Sequence, residues 1–143
     1  AIGNLEALPR QSYQALMDGI EQTKNNERIT LVLALNYSAK WEILRATRLL
    51  AEQAKAGTLL PENIDETAFE NALSTRGIPD PELLIRTSGE TRISNFLLWQ
   101  IAYAELYFTP VFWPDFGRRE LHEAILSYQR RERRFGMISE QVG

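Results

Sequence analysis

The stretch that decides the fold is Pro79-Asp80-Pro81-Glu82-Leu83-Leu84-Ile85-Arg86-Thr87-Ser88-Gly89-Glu90-Thr91-Arg92-Ile93-Ser94-Asn95-Phe96. Residues 83–85 form a short apolar run with prolines before it and Ser-Gly after it, a pattern that favours a buried parallel strand. Gly89 permits a tight turn, and Ser94 is a suitable N-cap for a helix predicted over residues 95–102. Ligands of parallel sheets bind beyond the carboxyl ends of the strands. We therefore expect a ligand site at the turn after Ile85.

The polar side chains around this turn predict a site for an anion. Arg86 leaves the end of the strand, Ser88 and Ser94 supply hydroxyl groups, and Arg92 returns just before Ser94. A guanidinium group matches phosphate oxygens with its planar fork, and the amino terminus of a helix adds partial positive charge. The expected ligand is a phosphate, and more specifically a diphosphate. The alternative for the same residue types is an ordinary solvated loop.

The bulk properties predict one ordinary globular domain over residues 1–143. The net charge of −3 suggests no general attraction to nucleic acid, and the absence of cysteine excludes disulfides and thiolate sites. A reducing cytoplasm is the default location. No apolar run approaches the roughly 20 residues that span a bilayer, so we expect membrane contact only through a lipid product. The opening Ala1-Ile2-Gly3-Asn4 reads as the end of a strand with its turn, so the chain looks truncated at its amino terminus.

The remaining pattern predicts an α/β fold with a mostly parallel β-sheet flanked by helices. The first expected helix follows Pro9 and has the core residues Tyr13, Leu16, Met17 and Ile20, and a central buried strand follows it over 29–35. Next come a helix over 41–56 that stops at Gly57 and a short helix through Leu73 that is capped by Asp65. The last elements are a strand over 105–108 and a helix capped by Asp115, with the apolar stripe Leu121, Ile125 and Tyr128.

Three further polar residues, Glu105, Asp18 and His122, are considered for a chemical role. Glu105 begins the predicted strand over 105–108, and a buried carboxylate is costly unless it is paired or bound to a cation. The residues themselves leave both a salt bridge and a metal site open. Asp18 is interpreted as a solvated helix residue, and the lone His122 as structural or solvated.

The order of residues in this region resembles that of the cis-prenyltransferases. The match includes Arg86-Thr87-Ser88-Gly89-Glu90-x-Arg92-x-Ser94-Asn95-Phe96, then Trp99-Gln100, residues 102–108 and residues 113–116, within a resemblance that runs from about Ile29 to Gly136. It implies that Arg86, Arg92 and Ser94, with Ser88 in the same block, hold the diphosphate of isopentenyl diphosphate. It also implies that Glu105 takes part in binding Mg2+.

The same resemblance gives a role to the end of the chain. Arg134-x-Gly136 matches the element by which these enzymes reach a diphosphate across a dimer interface, which implies a homodimer. The alternative is a solvated basic face, because cations are favourable at the carboxyl end of a helix.

The implied reaction adds isopentenyl diphosphate units to an allylic diphosphate, such as farnesyl diphosphate, with Z stereochemistry. The family's Asp-Gly-Asn-x-Arg-Trp stretch has no match here, since Met17-Asp18-Gly19 continues as Ile20-Glu21. We therefore expect no catalytic residue in this chain and no activity from it alone. After Asn36-Tyr37 this chain has Ser38-Ala39-Lys40, where the family has Gly-Gly-Arg. Lys40 is therefore given no ligand role. The alternatives are a non-catalytic partner subunit of a two-component prenyltransferase and an unrelated phosphate-binding module.

Overall fold

The computed structural model describes residues 1–131. These residues group into two compact units, Ala1–Ile78 and a second unit that begins at Pro79. The expectation of one domain over residues 1–143 stays a prediction. Among the described residues, no helix is long and apolar enough to cross a membrane.

The first unit contains three α-helices, α1 (Arg10–Thr23), α2 (Ala39–Lys55) and α3 (Glu66–Ala72). Helix α2 begins after Ser38, whose Oγ accepts a hydrogen bond of 3.4 Å from the backbone N of Trp41. Gly57 follows its end with a positive φ of 71°. Helix α3 is capped by Asp65, whose Oδ1 accepts a bond of 2.8 Å from the backbone N of Ala68. The predicted stop of α2 and the predicted cap of α3 are therefore confirmed.

The apolar core of this unit lies where α2 packs against α3. Its buried residues include Ala39, Ala46, Leu50, Ala72 and Leu73. Helix α1 contributes no buried residue to it, and Tyr13 and Ile20 are 39% and 41% exposed. The predicted core stripe of α1 is therefore wrong, because part of its apolar face, including Leu16 and Ile20, borders a cavity of about 620 Å³ instead of packed side chains.

Residues 29–35 do not form the central buried strand that their composition predicts. In the described part of the chain they make one parallel bridge, between Ala34 and Ile2, and Ile29 and Leu31 are 83% and 78% exposed. A central strand needs ladder hydrogen bonds on both edges, and one bridge does not supply them. Gly3 makes this bridge possible, because a Cβ there would lie 2.1 Å from the carbonyl oxygen of Leu35.

The second unit contains a parallel pair of strands, β1 (Leu83–Arg86) and β2 (Glu105–Phe108). Their register places Leu83 opposite Glu105 and Arg86 opposite Phe108. Helix α4 (Arg118–Gln129) packs against β2. Both strand predictions are confirmed, and the mixed α/β architecture with parallel pairing confirms the predicted fold class.

The helix predicted over residues 95–102 is wrong. Ser94, Asn95 and Leu97 have positive φ values of 49°, 59° and 47°, which a right-handed helix does not permit. The segment instead forms successive turns, one of which is closed by a bond of 3.1 Å from the backbone N of Phe96 to the carbonyl of Ile93. Ser94 is therefore not a helix cap, and the anion site has no helix terminus behind it.

The start of α4 also differs from its prediction. Gly117, not Asp115, occupies the N-cap position, and its backbone N donates a bond of 2.9 Å to Oε2 of Glu120. Asp115 lies in a short 3-10 turn over Trp113–Asp115. The pKa of Glu120 is lowered by hydrogen bonds from its own backbone N–H and that of Gly117, and further by Arg119.

The face of α4 that is buried is also not the predicted one. Glu120 and Ala124 are buried, whereas Leu121 and Ile125 are 42% and 38% exposed. One buried position on α4 is occupied by the small residue Ala124, whereas the prediction was based on the large apolar residues of the helix.

Candidate functional site

The turn after β1 is fixed by backbone hydrogen bonds to the residues that follow β2. The backbone N atoms of Ser88 and Gly89 donate to the carbonyls of Val111 and Thr109 at 2.8 and 2.9 Å. Thr109 in turn donates to the carbonyl of Arg86 at 2.9 Å. Ser88 and Gly89 have φ values of 66° and 70°, so a residue that tolerates the left-handed region is needed at both positions. These two N–H groups are used inside the protein and are therefore not available to a ligand.

A cavity of about 340 Å³ opens beside this turn within the second unit. Its lining combines a guanidinium and two hydroxyl residues with apolar side chains and comprises Leu84, Ile85, Arg86, Thr87, Ser88, Ile93, Phe96 and Trp113. The structure therefore brings Arg86 and Ser88 together, as the sequence predicts. Cationic and hydroxyl groups in the lining of a cavity with apolar walls suit a ligand with an anionic head and a hydrocarbon body.

Arg92 and Ser94 do not line this cavity. Arg92 is largely exposed, and its Nη1 lies 2.5 Å from Oε2 of Glu90, with 70% and 34% of the two side chains exposed. Sequence reasoning missed Glu90 as this partner, although the spacing Glu90-x-Arg92 is a signal for it. An exposed ion pair contributes only about 0 to 1 kcal/mol, so a more highly charged anion can replace Glu90 at little cost.

Glu105 is the first residue of β2 and is half-buried. Its Oε2 lies 2.6 Å from Nη1 of Arg131, just beyond α4, with 26% and 37% of the two side chains exposed. The salt bridge that the sequence left open is therefore present. Over residues 1–131, no three His, Cys, Asp or Glu side chains are grouped to hold a metal ion. A single carboxylate still fits Mg2+ as one ligand, because Mg2+ takes oxygen ligands and usually keeps several waters.

The remaining residues singled out in the sequence are Asp18, His122, Arg134 and Gly136. Asp18 is exposed on α1 and accepts a bond of 2.9 Å from Nε2 of Gln14, and His122 is exposed on α4, so both interpretations as solvated residues are confirmed. Arg134 and Gly136 lie outside the described residues.

Sequence reasoning missed one buried polar centre. Glu42, on the first turn of α2, is 1% exposed. The hydroxyl of Tyr37 donates to its Oε2 at 2.5 Å, and the backbone N of Ser74 donates to its Oε1 at 2.8 Å. The hydroxyl of Ser74 donates to the same Oε1. Charged residues alternate with apolar ones along α2, and nothing in that pattern distinguishes this glutamate from its solvated neighbours.

A comparison with known proteins gives one consistent answer. A sequence model of the prenyltransferase family described as undecaprenyl diphosphate synthase matches residues 1–136. The chain is 53% identical to an isoprenyl transferase of Chlorobaculum tepidum, with 99% of this chain and 53% of that protein covered. It is 51% identical to an isoprenyl transferase of Porphyromonas gingivalis, with 99% and 56% covered.

Two solved structures resemble the chain closely. One is a lavandulyl diphosphate synthase from Lavandula x intermedia in complex with dimethylallyl diphosphate, at a TM-score of 0.86 and 41% identity over 94% of this chain and 58% of that one. The other is a probable undecaprenyl diphosphate synthase from Campylobacter jejuni, at 0.78 and 32% identity over 94% and 61%. The chain spans about half the length of the curated relatives it matches. The family match over nearly its whole length shows that the chain belongs to the undecaprenyl diphosphate synthase family of prenyltransferases.

Proposed function

We propose that this chain is part of a cis-prenyltransferase that adds isopentenyl diphosphate units to an allylic diphosphate, such as farnesyl diphosphate, with Z stereochemistry. The observation that carries the proposal is the cavity at the carboxyl end of β1, where Arg86 and Ser88 meet apolar side chains. Family membership supports the reaction class. The dimethylallyl diphosphate bound by the lavender relative supports a diphosphate as ligand.

In this proposal the isopentenyl diphosphate site consists of Arg86, Ser88, Arg92 and Ser94. Arg86 and Ser88 already line one cavity. Arg92 exchanges Glu90 for the diphosphate, which offers more negative charge and a bidentate partner. Ile93, Phe96 and Trp113 supply apolar surface beside the head group. A diphosphate and a short hydrocarbon unit are thus recognised by different parts of the same site.

Glu105 is proposed as a ligand of Mg2+. When bound, Mg2+ neutralises negative charge on the diphosphate oxygens as the allylic carbon–oxygen bond breaks. The part of this chain is to present one carboxylate oxygen at the start of β2, where the strand backbone fixes the position of the residue. Glu105 is half-buried, and within the described residues its side chain pairs with Arg131 rather than with a set of backbone donors, so its oxygen is open to exchange.

In the proposed reaction the protein stabilises the negative charge of the diphosphates and orients the two substrates. The carbon–oxygen bond of the allylic diphosphate breaks, the double bond of isopentenyl diphosphate attacks the cationic carbon, and a proton leaves to form the Z double bond. Arg86 and Arg92 hold one reactant in position for attack and stabilise its negative charge. Each added unit brings five carbons, so at about 0.8 kcal/mol per buried CH2 the growing chain gains about 4 kcal/mol of burial per cycle. Retention of the growing product follows, and its release is a candidate slow step.

No residue of this chain is proposed as the catalytic acid or base, because the family's Asp-Gly-Asn-x-Arg-Trp stretch has no match in it. We expect the 143-residue chain to bind isopentenyl diphosphate and to lack turnover by itself. The complete gene product is proposed to work in the cytoplasm, to bind no nucleic acid and to meet the membrane through its lipid product.

A homodimer is proposed in which Arg134 and Gly136 reach the diphosphate site of the neighbouring subunit. The test combines an Arg134→Ala subunit with a Glu105→Gln subunit. If Arg134 acts across the interface, both lesions fall on the same site of the mixed dimer and the other site is intact. Mixed dimers should therefore regain activity that both parents lack. No gain over the parents would remove the cross-interface role.

The function is tested by incubating the complete gene product with farnesyl diphosphate, radiolabelled isopentenyl diphosphate and Mg2+. We expect radiolabelled product with new Z double bonds, and no product from the 143-residue chain alone. Product with E double bonds would contradict the proposal. The alternative, a non-catalytic partner subunit, predicts no incorporation until a second protein is added. Retention of the arginines and Glu105 argues against it, because such partners do not need a complete substrate site.

A further inference from the structure

The carboxyl end of α4 is tied to the start of both strands in the second unit. Just beyond α4, Arg131 pairs with Glu105 at 2.6 Å. One turn earlier, the hydroxyl of Tyr128 donates to the carboxylate of Glu82. Glu82 and Glu105 are themselves joined, because the backbone N of Glu105 donates to the carbonyl of Glu82 at 2.9 Å. The position of Arg131 is thus linked to the carboxylate proposed above as a Mg2+ ligand.

The two links differ in how easily they can be exchanged. The bond from Tyr128 joins a neutral donor to Glu82, so it places no positive charge in competition with a cation at Glu105. The bond from Arg131 brings a positively charged guanidinium next to Oε2 of Glu105. A divalent cation would be attracted to the same carboxylate. Two cations next to one carboxylate repel each other. Arg131 and a divalent ion therefore compete for Glu105.

We propose that Arg131 is a displaceable counter-ion of Glu105, which holds the carboxylate in position when no cation is bound and leaves it when a divalent cation binds. This inference rests on the proposed role of Glu105 as a metal ligand. Arg131 is a positioning residue and not a catalytic one.

The test measures binding of Mn2+ alone to the complete gene product by electron paramagnetic resonance, without substrate or turnover. Arg131→Gln removes the competing charge and should tighten Mn2+ binding by about 2- to 5-fold, the range expected for a partly exposed ion pair. Arg131→Lys keeps the charge and should bind Mn2+ within about 2-fold of the parent. Arg130→Gln, at the exposed neighbouring position, removes the same charge from the protein as a whole and should change the affinity less than Arg131→Gln.

Glu105→Gln separates this inference from the proposed function. Loss of Mn2+ binding in that variant supports the metal role of Glu105, and unchanged binding removes both the metal role and the inference. If Glu105→Gln loses binding while Arg131→Gln matches Arg130→Gln or binds more weakly, the metal role stands and the counter-ion inference is overturned. Circular dichroism melts of all four variants confirm that each is folded before its affinity is compared.

Discussion

Glu42 and Glu105 are two glutamates with opposite surroundings. Glu42 is 1% exposed, and its oxygens accept hydrogen bonds from the hydroxyl of Tyr37 and from the backbone N and hydroxyl of Ser74. Glu105 keeps 26% of its side chain exposed, and over residues 1–131 its side chain pairs with the guanidinium of Arg131. The donors around Glu42 are fixed by the fold, whereas the partner of Glu105 is a long side chain next to solvent.

The difference separates a carboxylate that is built into the fold from one that is partly exposed, which is the one proposed above as a ligand. Removing Glu42 takes the acceptor away from part-buried donors, which costs stability. Removing Glu105 leaves a partly exposed arginine that water can solvate, which costs little stability. A carboxylate with an exchangeable partner is the one that a cation can reach. Burial and the nature of the donors therefore decide the role more than residue type does.

The largest effect is expected from Glu42→Ala. The change removes the acceptor that the Tyr37 hydroxyl and the Ser74 donors share and opens a space beside α2, so the free energy of unfolding should fall by about 3 to 5 kcal/mol. Urea unfolding of parent and variant measures the difference. A loss below about 1 kcal/mol would show that Glu42 is not the polar centre of the first unit.

Glu105→Gln should give the reverse result. Its unfolding free energy should stay within about 1 kcal/mol of the parent, because the ion pair to Arg131 is partly exposed. Isopentenyl transfer by the complete gene product should fall by about 100-fold, because one source of charge stabilisation is removed. Steady-state assays at several Mg2+ concentrations measure the loss. A variant that is unstable and fully active when folded would reverse the assignment of the two glutamates.

Tyr37→Phe tests how much one of the hydrogen bonds to Glu42 contributes to stability. The change removes the donor to Oε2 of Glu42 with little change of shape, so we expect a loss of about 1 kcal/mol of unfolding free energy. Tyr13→Phe on α1 is the matched control, because Tyr13 is 39% exposed. Thermal melts of both variants should show a decrease for Tyr37→Phe and no change for Tyr13→Phe. Equal melting temperatures would mean that this bond adds nothing to the fold.

Glu120 provides a third carboxylate with a small, pH-dependent effect. Its pKa in the folded protein is lowered, first by backbone N–H groups and then by Arg119. A lowered pKa adds stability that is complete above the ordinary value of 4.5 and is lost as the pH falls through the folded value. Glu120→Gln should therefore lower the melting temperature at neutral pH and lower it less in acid, whereas Glu123→Gln serves as the control on the same helix. A difference that is constant with pH would show that the charge of Glu120 is not involved.

The local patterns that could be predicted from the sequence are those in which a few adjacent residues determine the outcome. The apolar run before Arg86, the run over 105–108 and the cap at Asp65 are of this kind, and all three are confirmed. The predicted helix over 95–102 failed because three residues adopt left-handed backbone, which composition does not reveal. The segment 29–35 failed because a strand depends on its neighbours, and its described partner is Ile2.

For the candidate site, the proximity of Arg86 and Ser88 could be predicted from the sequence, whereas the side-chain pairings could not. Arg86 and Ser88 share a cavity because a turn that includes Gly89 follows a strand, which the sequence indicates. The pairing of Arg92 with Glu90 and of Glu105 with Arg131 depends on side-chain directions and, for Arg131, on how α4 packs against β2. Such contacts between distant residues have no periodic signature. The same reason explains why the burial of Glu42 was missed.

The claim that the loop from Arg86 to Arg92 binds isopentenyl diphosphate is tested most directly by Arg92→Lys in the complete gene product. Lysine keeps the positive charge and loses the planar fork, so the KM for isopentenyl diphosphate should rise by about tenfold. The KM for the allylic diphosphate should stay within about 2-fold of the parent, because that substrate is not held by this loop. An equal rise of both KM values, or no rise of either, would contradict the assignment of the site.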